Sequence, residues 1–460
     1  MAYKVPGVYT TQRTAPNIVS LGLETKVLAL VGTAPKGSDN PLYFYSAADA
    51  FAEHGSPADA ASAGYTLPLA IQLAFENNAQ VVCVARAGAV KSSHTFLSGV
   101  TPVITFTAAP HYAGTSGNSI TVAIAAGTLS GVKVTVTAPD GVTTETFDNL
   151  ADNTAIVNAV NQSSAIVTAA VVAATPLADI IVATALSGGN DGKAADSTAL
   201  QAAITNLETK EVDIVAIMAG DTTTLTAAKT HVDTMSSSTN RKERILIAGL
   251  ARGSTSTQVQ TQGTNFADGR CVVVAPATLK KYNPSTQLVE LVDGFYLAAA
   301  IGGLAAGLSP EMPLTRRAVN GFDSLADIYT VSTMNTLAEN GVMVIHNSRG
   351  IRVRHGLTTA AVGDTFSELS VRRADDHVRK YIREALDSFV GQPSRVDTAV
   401  VIREAAKSAL TELVNKEKIA AWASVTCTQN AVTPTQYDVI YSYKPAWPVN
   451  FIEVSYSIEL

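Results

Sequence analysis

The sequence predicts a multidomain α/β (α+β) protein with an α/β core, a β-rich domain inserted into that core, and extended N- and C-terminal strand arms. Short apolar runs alternate with helical patterns on both sides of residues 92–192. Inside that range Thr, Val, Ala and Gly alternate as in exposed strands. The last segment alternates polar and apolar residues throughout. These three observations indicate one domain interrupted by another.

The first core elements follow the order strand, helix, helix, strand. Residues 26–32 form an apolar run that ends at Gly32, which is typical of a buried strand. Ser46 precedes a short helix closed by Gly55, a second helix is expected over about 65–77, and a strand follows over 80–86.

After the insertion the α/β alternation resumes. We expect helices over about 195–208, 222–237 and 255–266, and strands over 211–218, 244–250 and 270–275. Helices between strands indicate crossover connections and a largely parallel sheet. The apolar run 295–308 is shorter than the ~17–25 residues of a membrane span and predicts a buried helix, whose small residues indicate close helix packing.

The C-terminal half is predicted to hold helices near 323–340, 370–390 and 396–415 and strands over 342–346 and 350–356. The predicted units are an N-terminal arm, 1–20; an α/β core, 21–91 with 193–330; the β-rich insertion, 92–192; a C-terminal domain, 331–436; and a C-terminal strand arm, 437–460.

Both ends of the sequence look extended. Ile452, Val454, Tyr456 and Ile458 alternate with polar residues, and residues 1–10 are spaced like a strand around Pro6-Gly7. A one-faced strand needs a sheet to join. The arms either dock on their own subunit or add strands to neighbouring subunits.

Composition limits the function classes. Only 16% of the residues are charged, below the roughly 25% of ordinary domains, so we expect much of the surface to be covered by neighbours. The net charge of −6 disfavours nucleic acid as a partner. The three cysteines are far apart in apolar stretches, which predicts buried thiols. No signal peptide and no membrane span are expected.

No catalytic constellation is evident. The loop from Gly32 to Ser38 resembles a phosphate loop, but Ser38 stands where the lysine should be, so a strand-exit turn is favoured over a nucleotide site. Asp375-Asp376-His377 is the one carboxylate–imidazole cluster, and consecutive helical residues point in different directions. We therefore interpret it as a solvated helix face.

Charge is distributed unevenly along the chain. Residues 92–196 hold two lysines, seven carboxylates and no arginine, a net charge of −5. Residues 349–383 carry a net charge of +4, and Arg395, Arg403 and Lys407 extend the basic character. This cluster is either ordinary charge pairing within helices or a patch complementary to an acidic partner.

In their order, these segments resemble the contractile tail sheath proteins of myophages and related injection systems. The resemblance rests on Pro6-Gly7-Val8-Tyr9, residues 31–37, Asn40-Pro41, residues 51–55, 65–75 and 82–86, Ser187 to Gly192, Leu337 to Ile345, Arg352 to Thr359, and the C-terminal helices and strands to Leu460. It covers nearly the whole chain except the middle of the insertion and residues 277–292.

The resemblance implies a structural, non-enzymatic subunit without cofactor or metal, which forms hexameric rings stacked helically around a tail tube and contracts to drive the tube through the target cell envelope. It implies self-association, contact with tail tube, baseplate and tail terminator proteins, and a place in the virion tail after assembly in the host bacterial cytoplasm. Nucleic-acid binding and membrane insertion are not expected.

The resemblance also implies residue roles. The N-terminal arm residues that exchange between subunits are Val5, Pro6, Gly7, Val8 and Tyr9, and the C-terminal ones are Ile452, Val454, Tyr456 and Ile458. The candidates for facing the tube are Arg395, Arg403 and Lys407, with Arg379 and Arg383 as alternates. Hinges are expected at residues 11–17 and 444–450. The alternative functions are a nucleotide-dependent α/β enzyme and a non-contractile capsid or surface-layer protein.

Overall fold

The computed structural model describes residues 26–284 and 286–458. The predicted N-terminal arm residues Val5, Pro6, Gly7, Val8 and Tyr9 lie outside the described residues, as do the hinge candidate 11–17, Glu459 and Leu460.

Twenty strands occur in the described chain. They are β1 Val27–Gly32, β2 Leu42–Phe44, β3 Val81–Arg86, β4 Ser93–Ser98, β5 Thr101–Ala108, β6 Thr121–Ala126, β7 Val132–Thr137, β8 Thr144–Leu150, β9 Val167–Val171, β10 Ile181–Ala185, β11 Ile214–Ile217, β12 Ile245–Gly249, β13 Cys271–Ala275, β14 Thr278–Asn283, β15 Leu288–Asp293, β16 Ser324–Leu325, β17 Val342–Asn347, β18 Ile351–Val353, β19 Ile419–Gln429 and β20 Tyr437–Pro445.

Ten α-helices connect them in the same described ranges. They are α1 Ala47–His54, α2 Leu67–Glu76, α3 Asn153–Ser163, α4 Ser197–Thr205, α5 Thr222–Met235, α6 Ser256–Phe266, α7 Gly294–Gly307, α8 Val331–Glu339, α9 Leu369–Asp387 and α10 Thr398–Asn415. Aspartate or threonine side chains cap several of their amino ends, and Thr255 with Gln258 forms a full capping box on α6.

An eight-stranded sheet forms the centre, in the order β18-β17-β13-β12-β11-β1-β3-β2. The six strands from β17 to β3 run parallel, and antiparallel strands lie at both edges. Helices α1, α2 and α7 cover one face and α4, α5, α6 and α8 the other, so β1, β3 and β13 are buried along their whole length. The predicted α/β class is confirmed, and each predicted strand range from 26–32 to 270–275 contains the observed strand.

Helix α7 lies inside the layer that packs against the sheet. It packs so closely on α2 that a Cβ atom at Gly303 would lie 2.3 Å from the Ala74 carbonyl oxygen. The small residues of this run therefore serve close packing of two helices. No helix among the described residues is long and apolar enough to cross a membrane.

Residues 93–185 form a unit with its own apolar core. Strands β10-β6-β7-β8 make one antiparallel sheet and β4-β5-β9 another. The sequence pattern does not predict α3, which begins where the Asp152 carboxylate accepts a hydrogen bond from the Ala155 amide at 2.8 Å. Alternating Thr and Val dominate the composition of the range and conceal this short amphipathic stretch.

Arg86, at the end of β3, joins this unit to the core. Its guanidinium donates to the carbonyl oxygens of Ala34 (3.0 Å) and Gly37 (2.6 Å) in the core, and to Ala113 (2.7 Å) in the insertion. It also forms a 3.1 Å ion pair with Asp191. One buried cation therefore fixes both sides of the domain junction.

Strand pairings cross two of the predicted domain boundaries in the C-terminal half. Strands β17 and β18 extend the central sheet, although the sequence assigns residues from 331 onward to a C-terminal domain. Strand β20 pairs with β19 in one hairpin, although the boundary at 436/437 separates them. Strand periodicity does not identify the partner strand, so it cannot place such boundaries. The helix predicted near 323–340 is also shorter, because α8 begins at Val331 behind its Thr330 cap.

Helix α9 docks on the amino ends of three neighbouring parallel strands through ion pairs. Asp376 accepts two hydrogen bonds of 2.9 Å from Arg270, the residue before β13. Lys380 pairs with Asp213, the residue before β11, and Arg383 binds Glu243, near the start of β12, at 2.6 and 2.5 Å. We call these three pairs the charged seam.

The charged seam corrects the interpretation of Asp375-Asp376-His377 as a solvated face. These residues are only 7%, 3% and 4% exposed. Arg372 reaches Asp375 and Asp376 at 2.5 and 2.8 Å, and the Tyr443 hydroxyl donates to Asp375 at 2.6 Å. Burial, and then the Asp375 charge, raises the pKa of Tyr443. Much of the basic cluster at 349–383 is thus paired internally.

Arg373, which follows Arg372 in α9, is fully buried and binds the carboxyl end of α7. Its guanidinium donates to the carbonyl oxygens of Leu308 and Ser309 at 2.8 and 3.4 Å. Burial lowers the pKa of Arg373 to about 10, so it remains a cation near neutral pH. A cation at a helix carboxyl end interacts favourably with the helix dipole.

His54 is a buried titratable group in the core. It ends α1, is 0% exposed, and packs edge-on against the Phe44 ring with 5.5 Å between centroids. Burial lowers the pKa of His54 to about 3. The folded protein therefore holds a neutral imidazole where the unfolded chain, with a pKa of about 6.5, would bind a proton.

The charged seam generates a stability prediction. We expect Asp376→Asn to lower the free energy of unfolding by about 3 kcal/mol, because it leaves buried guanidinium groups without their carboxylate. Glu404→Gln is the matched control, since Glu404 forms its ion pairs on the exposed face of α10. Calorimetric melting of both variants checks this, and equal melting temperatures would contradict the importance of the seam.

A second prediction concerns pH. Because the folded-state pKa of His54 lies below the unfolded value, its contribution to stability is present above pH 6.5 and is lost as pH falls toward about 3. The loss is about 1.4 kcal/mol per pH unit within that window. We expect the melting temperature of the natural protein to fall more steeply between pH 7 and pH 4.5 than that of His54→Gln. Parallel curves would refute a neutral buried imidazole.

Candidate assembly surface

Helices α9 and α10 and the hairpin β19–β20 form a C-terminal unit. Its small core contains Val378, Ile382, Leu410, Leu413 and Ile419. The hairpin sheet has two strands, so each strand has one edge without a backbone partner in the described part of the chain. Such edges are templates for an added strand.

The chain continues past Pro445 without regular structure to residue 458. Ile452, Val454, Tyr456 and Ile458 are between 79% and 84% exposed. We call residues 451–458 the C-terminal segment. Its predicted alternation is present in the sequence, but no strand within the described chain pairs with it. Four large apolar side chains exposed to solvent are typical of an interaction surface.

The segment is attached to the rest of the molecule at Asn450. The Asn450 amide donates a 2.8 Å hydrogen bond to the Glu368 carboxylate and lies 3.1 Å from His355 Nε2. The Phe451 ring packs edge-on against His355, with 5.9 Å between centroids. The sequence identifies neither His355 nor Glu368 as part of this site, because both lie more than 80 positions before Asn450.

The five basic candidates lie in different electrostatic settings. Arg379 pairs with Asp375, and Arg383 belongs to the charged seam, so the chain itself satisfies both charges. Arg403 and Lys407 share Glu404 on α10 at 3.1 and 2.9 Å. Exposed Arg395 forms no ion pair with any described residue. The helix α10 candidates therefore keep a net positive charge toward solvent.

A second basic surface surrounds β18 and combines the first arginines of the 349–383 cluster with Arg316 and Arg317, which the sequence analysis does not name. The loop at 316–319 bonds along β18, with Arg316 N donating to Val353 O at 2.8 Å. This pairing brings together Arg316, Arg317, Arg349, Arg352 and Arg354, which we call the arginine surface. No carboxylate in the described chain forms an ion pair with any of them. Burial, and then Arg354, lowers the pKa of neighbouring His346.

The Gly32 turn has the wrong polarity for a phosphate. Here the carbonyl oxygens of Ala34 and Gly37 converge on the Arg86 cation, whereas a phosphate loop presents backbone N–H groups to an anion. The described chain also has no group of three or more metal-binding side chains.

Cys83 and Cys271 are buried as predicted, and burial raises the pKa of Cys83 to about 12, which keeps its thiol protonated. Cys427 is only partly buried.

Comparisons with known proteins agree with the resemblance in the sequence. Residues 193–359 match the family model of the phage tail sheath protein central domain. The tail sheath protein of Mycobacterium phage Bxz1 is 28% identical over 255 residues, which cover 54% of this chain and 44% of that protein. The match thus spans less than half the length of this curated relative.

Solved structures share the fold. The sheath tail protein Lin1278 from Listeria innocua aligns with a TM-score of 0.62 at 16% identity, covering 92% of each chain. The sheath tail protein DSY3957 from Desulfitobacterium hafniense aligns with a TM-score of 0.57 at 15% identity, over 96% of this chain and 100% of that chain. The contracted helical sheath of the anti-feeding prophage gives 0.57 at 14% identity over 100% of both chains.

The resemblance stated from the sequence is thereby confirmed at the level of domain and fold: residues 193–359 match the central domain of the phage tail sheath proteins, and the chain shares its fold with solved sheath proteins.

Proposed function

We propose that the chain is the structural subunit of a contractile tail sheath. It polymerises around the tail tube as hexameric rings stacked helically, and contraction drives the tube through the target cell envelope. The observation that carries the proposal is the exposed C-terminal segment, which follows a hairpin whose two outer edges have no backbone partner among the described residues. The central-domain match and the contracted-state sheath among the fold relatives support it.

Strand addition between subunits follows from the chemistry of the segment. Apolar side chains at every second position lie on one face of an extended strand. When a strand joins a hairpin edge, its N–H and C=O groups gain partners, and burying each large apolar side chain contributes about 1.5–3 kcal/mol. The C-terminal segment of one subunit therefore adds to the hairpin of another. Val5, Pro6, Gly7, Val8 and Tyr9 are proposed to do the same from the N-terminal arm.

Strand addition also suits contraction. Backbone hydrogen bonds distributed along a strand resist pulling, while the residues next to it can rotate. Subunits can then rotate and slide from a metastable extended lattice into a wider, shorter one of lower free energy without separating. The arms keep the subunits connected throughout contraction. The free energy that drives contraction comes from new contacts between the parts of the subunits outside the arms.

The tube-facing surface is proposed to lie on α10 and the loop before it. Arg403 and Lys407 lie four residues apart on α10, and Glu404 neutralises their positive charge only in part, while exposed Arg395 lies in the loop before the helix. Arg379 and Arg383 are weaker candidates, because each already has a carboxylate partner. Contacts to an acidic tube must release during contraction, which suits solvent-screened charges.

The other partners and the location follow from the same proposal. The sheath contacts a baseplate at one end and a tail terminator at the other, and it assembles in the host bacterial cytoplasm before it forms part of the virion tail. No enzymatic step, cofactor, nucleic acid or membrane insertion belongs to this function. The insertion, with its separate core, lies outside the arm and tube contacts proposed here.

Removal of the C-terminal segment tests the proposal directly. Truncation after Asn450 is expected to abolish tubes in negative-stain electron micrographs and leave the melting temperature unchanged, because residues 452, 454, 456 and 458 are exposed in the subunit. The double variant Val454→Asn/Ile458→Asn should act in the same way. The control Glu453→Gln/Ser455→Ala alters only the opposite face of the strand. Normal tubes from the truncated chain would refute strand exchange through this segment.

Charge reversal tests the tube-facing surface. We expect Arg395→Glu/Arg403→Glu to reduce sheath loading on purified tail tubes at least about tenfold at low salt, because unlike charges become like charges. The matched variant Arg316→Glu/Arg352→Glu reverses the arginine surface instead. Sedimentation with tubes measures loading, and the sheath polymer formed without tubes reports self-assembly. Loss of loading only in the second variant would move the tube contact to the arginine surface.

A further inference from the structure

The residues expected to form the C-terminal hinge, 444–450, are held at both ends. Strand β20 is paired with β19 up to Pro445, and Asn450 is bonded to Glu368. Four residues, 446–449, bridge the two points, and Pro448 restricts one of them. A span fixed at both ends cannot swing like a hinge. The first residues free to reorient therefore come after Asn450.

The groups that hold Asn450 belong to the junction between the central domain and α9. His355 lies just after β18, and Glu368 is the residue before α9. The junction is closed by a 2.9 Å backbone bond from Leu369 N to Gly356 O. Glu368 is 8% exposed and lies 2.6 Å from His355 Nε2. Besides its chain connection to β20 through residues 446–449, the C-terminal segment is thus held by side-chain contacts to a buried, hydrogen-bonded part of the molecule.

A cavity with both polar and apolar lining adjoins the attachment. The adjoining cavity is lined by Thr315, Asn335, Arg354, His355, Asn450 and Phe451, among others. From the C-terminal side, the Asn450 side-chain amide reaches this cavity and donates a hydrogen bond to the Glu368 carboxylate. A hydrogen bond to a charged group is about twice as strong as a neutral one.

We propose that Asn450, Glu368 and His355 form an anchor that positions the C-terminal segment for exchange between subunits. This inference rests on the proposed function of that segment. The pivot of the segment lies after Asn450, and tension on the segment passes through Asn450 into the central domain. The hairpin, which receives a strand from a neighbour, is then separated from the load that its own segment carries.

Separation of the two loads has a mechanical consequence. If the segment pulled directly on β20, the pulling force would separate β20 from its pairing partners. The same hairpin receives the C-terminal segment of a neighbouring subunit, so that contact would be weakened as well. The anchor prevents this, because the pulling force bypasses the hairpin. Asn450, Glu368 and His355 are therefore positioning residues: they determine where the segment leaves the subunit.

A charge swap tests the anchor. Asn450→Asp places a carboxylate against Glu368 and should release the segment. Adding Glu368→Gln restores an amide–carboxylate hydrogen bond with the partners exchanged, and should recover the anchor. Val449→Asp is the matched control, because it introduces the same charge one position earlier at an exposed side chain.

The position of the segment is measured in the full-length chain by electron–electron double resonance. Spin labels at Ile452→Cys and, on α6, Thr257→Cys are used with Cys427→Ser, since Cys83 and Cys271 are buried. We expect Asn450→Asp to broaden the distance distribution at least about twofold. The swap and the control should keep the natural width. An unchanged width in Asn450→Asp, or no recovery in the swap, would overturn the anchor.

Assembly is measured on the unlabelled variants with the truncated chain beside them. The anchor predicts that Asn450→Asp reduces tube formation at least about tenfold at an unchanged melting temperature, and that the swap restores it. Full assembly by Asn450→Asp, with none by the truncated chain, would overturn the anchor and leave the proposed function intact. Assembly by the truncated chain would instead refute the proposed strand exchange through this segment, and the distance measurement would still decide the anchor.

Discussion

The charged seam between α9 and the central sheet is the interaction on which the position of the C-terminal unit depends. Asp376, Lys380 and Arg383 lie on one side of the helix, and each meets a charge of opposite sign at the start of a different parallel strand. A shift of one residue along α9 would turn the helix by about 100° and separate all three pairs. The seam therefore fixes the register of α9, and with it the places where the hairpin and α10 lie.

The seam contributes more to positioning than to net stability. Burying two charges costs several kcal/mol per ion, and their attraction roughly offsets that cost. A helix in the wrong position would leave the same charges buried without partners, at a much larger cost. Burial would lower the pKa of Lys380, and the adjacent Asp213 charge outweighs that effect, so the pKa is raised. The folded state thus retains the charge that makes the misplaced alternative unfavourable.

The central fold could be predicted because its signals are local. A buried parallel strand is apolar on both faces, and helix caps lie within a few residues of the helix they start, so 26–32 and 270–275 can be identified in isolation. The seam could not, because its partners are 106 to 167 residues apart. One signal could have found it: charged residues stand within two positions before the apolar runs of β11, β12 and β13, at Asp213, Glu243 and Arg270. The arginine surface depends in the same way on a loop pairing with β18. The alternating pattern of the C-terminal segment predicts an extended strand. It does not predict the attachment at Asn450, because periodicity shows which residues share a face of a strand and does not identify the residues that contact it.

The charged seam sharpens the meaning of the low proportion of charged residues. Several of the few charges lie inside the subunit, so the exposed surface is poorer in charge than the 16% of the whole sequence indicates. A subunit whose units are joined by desolvated ion pairs moves as one body, because sliding α9 along the sheet would expose unpaired charges in a medium of low dielectric constant. In the proposed sheath, the change between lattices must therefore occur in the segments between subunits, where side chains are exposed and backbone edges are unpaired. The anchor at Asn450 places the start of that movable region at the surface of the central domain, beyond the last residue that the subunit itself holds.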